Sequence, residues 1–200
     1  DGVKRCLDEV GFGFMFAQTF HPSMKFAAGP RREIGVRTVF NILGPLTNPA
    51  GARAQLMGVA DPTVGERIAG VLGRLGSVHA LVVHGMDGLD EISLSDATQM
   101  WEFKGGTVSS STVTPEELGL ERVSRDDITV SSVEESISII RGVLSGNRGP
   151  ARGVVLANAA GALVAVDAVS TIRDGISLAA ESIDSGAAQK TLETLVALSQ

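Results

Sequence analysis

Two apolar segments with an amphipathic segment between them set the tightest limit on what this chain can fold into. Ala54 to Ala60 and Val78 to His84 both read as strands, and the second is almost wholly apolar, as a strand covered on both faces must be. Between them, Asp61-Pro62 opens an amphipathic helical run from Thr63 to Leu75. Strand, helix and strand in that order make a βαβ unit, whose two strands lie parallel in one sheet. A loop from Gly85 to Ser95 follows the second strand directly.

The remaining elements fit around this unit. Gln99 to Lys104 and Thr107 to Val113 flank Gly105-Gly106, a strong two-residue hairpin signal. From Val133 onward the periodicity is helical, over Val133 to Leu144, Val154 to Val166, Val169 to Ile183 and Ala187 to Leu198. The alanine-rich segment Val154 to Val166, apolar nearly all round, reads as a buried helix. At the other end, Val3 to Val10 is helical, and Phe12 to Ala17 reads as a short buried strand, with Trp101 and the phenylalanines near Phe14 in the core. The expectation is one α/β domain over residues 1–200, with a mainly parallel sheet, a β-hairpin and a C-terminal helical layer.

Composition narrows the function. With 44% hydrophobic and 20% charged residues the chain is globular rather than disordered. Its formal charge of -6, from 17 Lys and Arg against 23 Asp and Glu, lacks the basic footprint of a nucleic-acid binder. The longest apolar stretch, Gly153 to Val166, is interrupted by Asn158 and falls short of the roughly 18 to 20 residues that span a bilayer. A single cysteine, Cys6, reads as a small apolar filler, and with no signal-peptide pattern the simplest compartment is the cytoplasm. The chain opens on Asp1 inside a helix already under way, which reads as the middle of a longer gene product.

Ligands of parallel sheets bind beyond the carboxyl ends of the strands, so the loop after His84 is the first place to look. It carries the adjacent acids Asp90 and Glu91, a pair that can hold Mg²⁺ together with water and substrate phosphates, although spacing alone favours two solvated surface acids. Arg31, Arg32 and Arg37 can capture a carboxylate or phosphate bidentately, or form a solvated helix face. The turn from Gly44 to Pro49 exposes backbone that suits a flat ligand, or is purely structural. His21, just before Pro22, reads first as a helix-start or packing residue, and His79 and His84 as packing residues within a strand. No zinc spacing, Gly-x-Ser-x-Gly elbow or phosphate loop occurs.

Taken together, His21-Pro22-Ser23-Met24-Lys25, Arg31-Arg32-Glu33, Gly35 to Asn41, Gly44-Pro45-Leu46-Thr47-Asn48-Pro49, Val83-His84-Gly85, Gly88-Leu89-Asp90-Glu91 and Asn158-Ala159-Ala160 resemble one family in a single register. That family is anthranilate phosphoribosyltransferase, of tryptophan synthesis. The resemblance implies a nucleoside phosphorylase/phosphoribosyltransferase-like glycosyltransferase fold. It implies transfer of a phosphoribosyl group from 5-phosphoribosyl 1-diphosphate to the amine of anthranilate, with release of pyrophosphate and a requirement for Mg²⁺.

By the same resemblance Arg31 pairs with the anthranilate carboxylate, Gly44-Pro45 lines the aromatic's pocket, His21 lies nearby, and Asp90 and Glu91 bind the metal. No side chain is assigned a covalent or acid-base role. Family members also carry an N-terminal helical segment, a Gly-Thr-Gly-Gly-Asp diphosphate loop and a Lys-His-Gly-Asn stretch, none of which occurs here. The chain alone is therefore expected to be inactive, and the homodimer of the full-length protein is expected to depend on the segment it lacks. Two competing readings are a pyrimidine nucleoside phosphorylase-like enzyme, disfavoured by Arg31 with Gly44-Pro45, and a non-catalytic nucleic-acid-binding relative, disfavoured by the acidic charge and the Asp90-Glu91 pair.

Overall fold

The computed structural model describes residues 2–20 and 46–199. They divide into two compact units, one of residues 1–52 with 191–200 and the other of residues 53–190. Among the described residues no helix is long and apolar enough to cross a membrane.

In the first unit, helix α1 (Gly2–Val10) buries Cys6 and carries the ion pair Arg5–Glu9, 3.2 Å apart at i,i+4 spacing. It ends at Gly11, whose φ of 77° reverses the chain and whose N–H reaches the Leu7 carbonyl at 3.1 Å. Gly13 then packs on Leu7 and Val3, where an added Cβ would lie 2.8 Å from Leu7 Cγ. The backbone therefore follows α1 instead of extending along a sheet, and the strand expected from Phe12 to Ala17 does not form. Residues 12–16 are irregular, and a short helix α2 (Ala17–Phe20) follows. The phenylalanines expected in the core are exposed: Phe14 is 68% exposed, and its ring stacks on that of Phe16 at a centroid distance of 6.5 Å.

The second unit holds the sheet. Strand β1 (Ala54–Gly58) runs through a 3-10 turn (Pro62–Val64) into α3 (Gly65–Arg74) and back to β2 (His79–Gly85). Asp61 caps that turn by accepting from the Thr63 N–H at 2.9 Å. Strands β3 (Thr98–Lys104) and β4 (Thr107–Val113) complete the order β1-β2-β3-β4. β1 and β2 pair in parallel, with Ala54 opposite His79, whereas β2–β3 and β3–β4 are antiparallel. The sheet is thus mixed where mainly parallel pairing was expected, because β2 and β3 are joined by a loop with no crossover helix. Gly105 and Gly106 supply the two left-handed residues of the hairpin turn, with φ of 58° and 85°.

Helices cover both faces. Trp101 and Phe103, opposite Val82 and Ala80, meet α3 where Gly65 and Gly73 make room for their rings. The other face, with Leu81, Val83 and Met100, packs in one core with Ala157 and Ala160 of α6 (Pro150–Ala165). Before α6 come α4 (Pro115–Leu118), a 3-10 turn (Arg125–Ile128) and α5 (Val133–Leu144). After it come α7 (Ile172–Asp184) and α8 (Ala187–Ser199). α6 is not buried all round, since Val155 is 43% exposed. Its first turn holds Arg152, whose buried guanidinium lies 2.8 Å from Asp184 at the end of α7.

Candidate functional site

The loop after β2 is built around one aspartate. Gly88, at φ 92°, closes a turn by donating its N–H to the Gly85 carbonyl at 2.8 Å, and the Gly85 N–H donates to Leu89 O at 2.8 Å. Inside this turn the Asp87 carboxylate accepts from the Leu89 N–H at 3.2 Å, from Ser93 Oγ at 2.8 Å and from Ser95 Oγ. Arg125 donates to the Asp87 backbone carbonyl. Burial alone would raise the Asp87 pKa, but the hydrogen bonds from Ser95, Ser93 and Leu89 and the charge of Arg125 outweigh it and hold the carboxyl below its ordinary value. The strand ends beneath are fixed as well: His84 Nδ1–H donates to Val59 O at 2.8 Å, and the Val59 N–H donates to Val83 O at 2.9 Å.

Asp90 and Glu91 follow at a bend in the same loop, both exposed. Gly58, the last residue of β1, lies so close that a Cβ there would sit 1.5 Å from the Asp90 carbonyl oxygen. Next in sequence, Ile92 is wholly buried, and its backbone pairs with a single side chain of α6. Asn158 Oδ1 accepts from the Ile92 N–H at 2.9 Å, while Asn158 Nδ2 donates to Ile92 O at 3.1 Å and to Val154 O at 3.0 Å. The acidic pair is therefore held between a strand end and a helix. Neither carboxylate has a hydrogen bond or an ion pair among the described residues. Desolvation and the charge of Asp90 together push the Glu91 pKa up.

These donors suit a hard cation. No group of three or more His, Cys, Asp or Glu among the described residues could close around a metal, so the pair offers two carboxylates and leaves the other positions open. That is the donor set Mg²⁺ takes when substrate phosphates and water complete its shell.

Of the residues singled out in the sequence, Asp90 and Glu91 stand in this loop, while His21, Arg31, Gly44 and Pro45 lie outside the described residues, as do Arg32 and Arg37. The following turn is described: the Asn48 side chain accepts from the Ala50 N–H at 2.9 Å, and Gly51 donates to Asn48 O at 3.0 Å. His79 packs as expected, buried between Glu102 at 2.8 Å and Asp167 at 3.1 Å, and so does Trp101. Sequence reasoning gave no part to Asp87 or Gly58, and used Asn158 only among the residues that carry the family resemblance. The available signals were the Asp87-Gly88 turn followed by two serines, and one amide inside the otherwise apolar segment Val154 to Val166.

The model of the glycosyl transferase family a/b domain matches residues 1–189. The chain belongs to this family. Within it, the anthranilate phosphoribosyltransferase of Moorella thermoacetica is 54% identical over 197 residues, covering 98% of this chain and 58% of its own length. That of Symbiobacterium thermophilum is 56% identical over 193 residues, covering 96% and 57%. The crystal structure of the Thermus thermophilus anthranilate phosphoribosyltransferase superposes with a TM-score of 0.92 at 40% identity, covering 99% of this chain and 59% of that one. The Saccharomyces cerevisiae enzyme in complex with PRPP and Mg gives 0.89 at 28% identity, covering 98% and 57%. The chain thus spans about three-fifths of the length of these glycosyl transferase family relatives, at 57–59%.

Proposed function

We propose that this chain forms the metal-binding and aromatic-binding part of an anthranilate phosphoribosyltransferase. In the reaction, the ribose C1–O bond of 5-phosphoribosyl 1-diphosphate breaks, its electron pair leaves with pyrophosphate, and the anthranilate nitrogen bonds to C1 and gives up one proton to water. The observation that carries this reading is the Asp90-Glu91 pair, two carboxylates without a cation partner among the described residues, at the strand ends of a chain 54% identical over nearly its whole length to a relative of that name.

Asp90 and Glu91 would hold Mg²⁺, and the Saccharomyces relative whose structure contains both PRPP and Mg supports that choice of ion. When bound, the metal supplies positive charge to the leaving diphosphate. By the family resemblance, Arg31 would pair with the anthranilate carboxylate, and Gly44, Pro45 and His21 would serve the binding of its ring. A solved complex of the Saccharomyces relative with 4-fluoroanthranilate supports an aromatic amine as second substrate. Because that amine is itself nucleophilic, the protein's work is to hold the two substrates in line, which needs no activated Ser or Cys. The full-length enzyme would act in the cytoplasm as a homodimer.

The test is the loss of anthranilate fluorescence on adding 5-phosphoribosyl 1-diphosphate and Mg²⁺. It compares the 200-residue chain with the same chain joined to the N-terminal part of the Moorella relative that it does not span. Loss with the joined protein only is the expected result, since the Gly-Thr-Gly-Gly-Asp loop is then supplied. Loss with neither overturns the reading, and cleavage of a pyrimidine nucleoside by inorganic phosphate would replace it with the phosphorylase.

A further inference from the structure

We propose that Asn158 is the positioning residue for the acidic pair: by clamping both backbone groups of Ile92, its amide holds Asp90 and Glu91 at the carboxyl end of β1 in a metal-competent arrangement. The inference rests on the metal reading of that pair.

The clamp has the geometry of a strand partner supplied by one side chain. Asn158 Oδ1 takes the Ile92 N–H at 2.9 Å, and Nδ2 gives one hydrogen to Ile92 O at 3.1 Å and the other to Val154 O at 3.0 Å, one turn back on α6. This pattern fixes which way the amide faces, because turning it over would set donor against donor and acceptor against acceptor. It also fixes height above the helix. The Ile92 side chain is fully buried and Gly161 of α6 gives it room, so neither end of the clamp can drift.

Among the described residues nothing comparable holds the two acids from outside. Their carboxylates have no partner among the described residues, and as adjacent like charges they repel, so of the described contacts it is the backbone on either side that sets their spacing. On one side the Asp90 carbonyl lies against Gly58, and on the other Ile92 is held by Asn158. Glu91 stands between two fixed points. An apolar residue at 158 could fill the same volume, but it would leave the Ile92 N–H and C=O unpaired and free the bend. Partners that orient metal-binding carboxylates without touching the metal have this kind of effect on affinity.

The experiment titrates the 200-residue chain with Mn²⁺ alone and follows paramagnetic broadening of backbone amide signals. In the unsubstituted chain, broadening is expected at Asp90, Glu91 and Ile92. In N158A the half-saturating Mn²⁺ concentration is expected to rise roughly 10- to 100-fold at those amides. The amide pattern of β2 to β4 stays in place, and weak broadening at the acid pair Asp126-Asp127 is the same in both proteins. N158Q keeps the amide one methylene further out and should restore part of the lost affinity. If N158A does not fold, N158Q decides: folded with weakened Mn²⁺ binding supports the role, and folded with undiminished binding overturns it.

Undiminished binding by folded N158A likewise overturns the positioning role while leaving the metal site intact. No broadening at Asp90 and Glu91 in the unsubstituted chain removes the metal reading, and this inference with it, a different pattern from the first. In the joined protein, N158A should raise the Mg²⁺ needed for half-maximal rate by a similar factor while the KM for anthranilate stays unchanged.

Discussion

Gly58→Ala tests the other anchor of the acidic bend, and its size can be worked from the structure. The added Cβ would stand 1.5 Å from the Asp90 carbonyl oxygen and 2.4 Å from its carbon. A close carbon–oxygen contact needs about 3.3 Å, so strand end and loop must separate by about 1.8 Å. The obstacle is backbone rather than a flexible side chain, and Gly58 is itself tied into the sheet opposite Val83. Movement of the loop by that amount would take the Asn158–Ile92 hydrogen bonds, now 2.9 and 3.1 Å, beyond bonding range. Overpacking of this kind costs about 1–3 kcal/mol. At about 2–4 °C per kcal/mol for a chain of this size, the melting temperature should fall by roughly 2–12 °C. Calorimetry of the 200-residue chain measures that fall, and the Mn²⁺ titration should show weaker binding in the same protein. Gly70→Ala in α3 is the control: an added Cβ meets nothing nearer than Val108 Cγ2 at 3.9 Å. There alanine should stabilise the helix by about 0.5–1 kcal/mol. A Gly58→Ala protein that melts within a degree of the unsubstituted chain and binds Mn²⁺ equally well would refute the account of the strand end as an anchor.

Asp90→Asn with Glu91→Gln removes the pair's charge at nearly constant shape, so turnover of the joined protein should fall and its Mg²⁺ requirement rise; an Mg²⁺ titration of the rate checks this. Asp87 has a folded pKa below its unfolded one, so the unfolded state binds more protons between the two values. Its stabilisation is complete above the unfolded value of about 4 and is lost as pH falls through the lowered folded value. Asp87→Asn should therefore melt earlier than the unsubstituted chain at pH 7, by a margin that narrows as pH falls below the unfolded value of about 4. Asp184→Ala leaves the buried Arg152 guanidinium without its ion partner at 2.8 Å. That should cost about 1–3 kcal/mol, read as a fall in melting temperature of roughly 2–12 °C.

The readable parts of the fold are those set by near neighbours in sequence. The hairpin is an example: Gly105-Gly106 is needed because both turn residues have positive φ, a demand carried by the turn itself. The bounds of α5 are similarly local, with Ser132 capping the helix through the Glu135 N–H. Phe12 to Ala17 went the other way. Its apolar run satisfies the pattern of a buried strand, but Gly11 and Gly13 turn it along α1, and whether an apolar run is buried depends on what lies beside it. The parallel pairing of β1 and β2 was legible because an intervening helix enforces it. The antiparallel return of β3 was not, since a loop without a helix is compatible with several neighbours.

The site divides along the same line. Asp90 and Glu91 can be found in sequence because their chemistry lies in their own side chains and in their position just after a strand. What makes them a site is the company they keep. The Asn158 amide is 66 residues from Ile92 and Gly58 stands at the end of β1, both brought to the pair by the packing of β1, β2 and α6. Asn158 interrupts an apolar helix, which reads as a tolerated defect until the Ile92 backbone is seen to need both of its functional groups. The same logic separates Asp87 from its neighbours: the serines, the Leu89 N–H and the Arg125 charge hold it as an anion inside the turn, so its negative charge is spent on the loop. Among the described residues Asp90 and Glu91, three and four residues later, have no such partners, and that contrast, more than acidity, is what supports the proposed role in holding a cation.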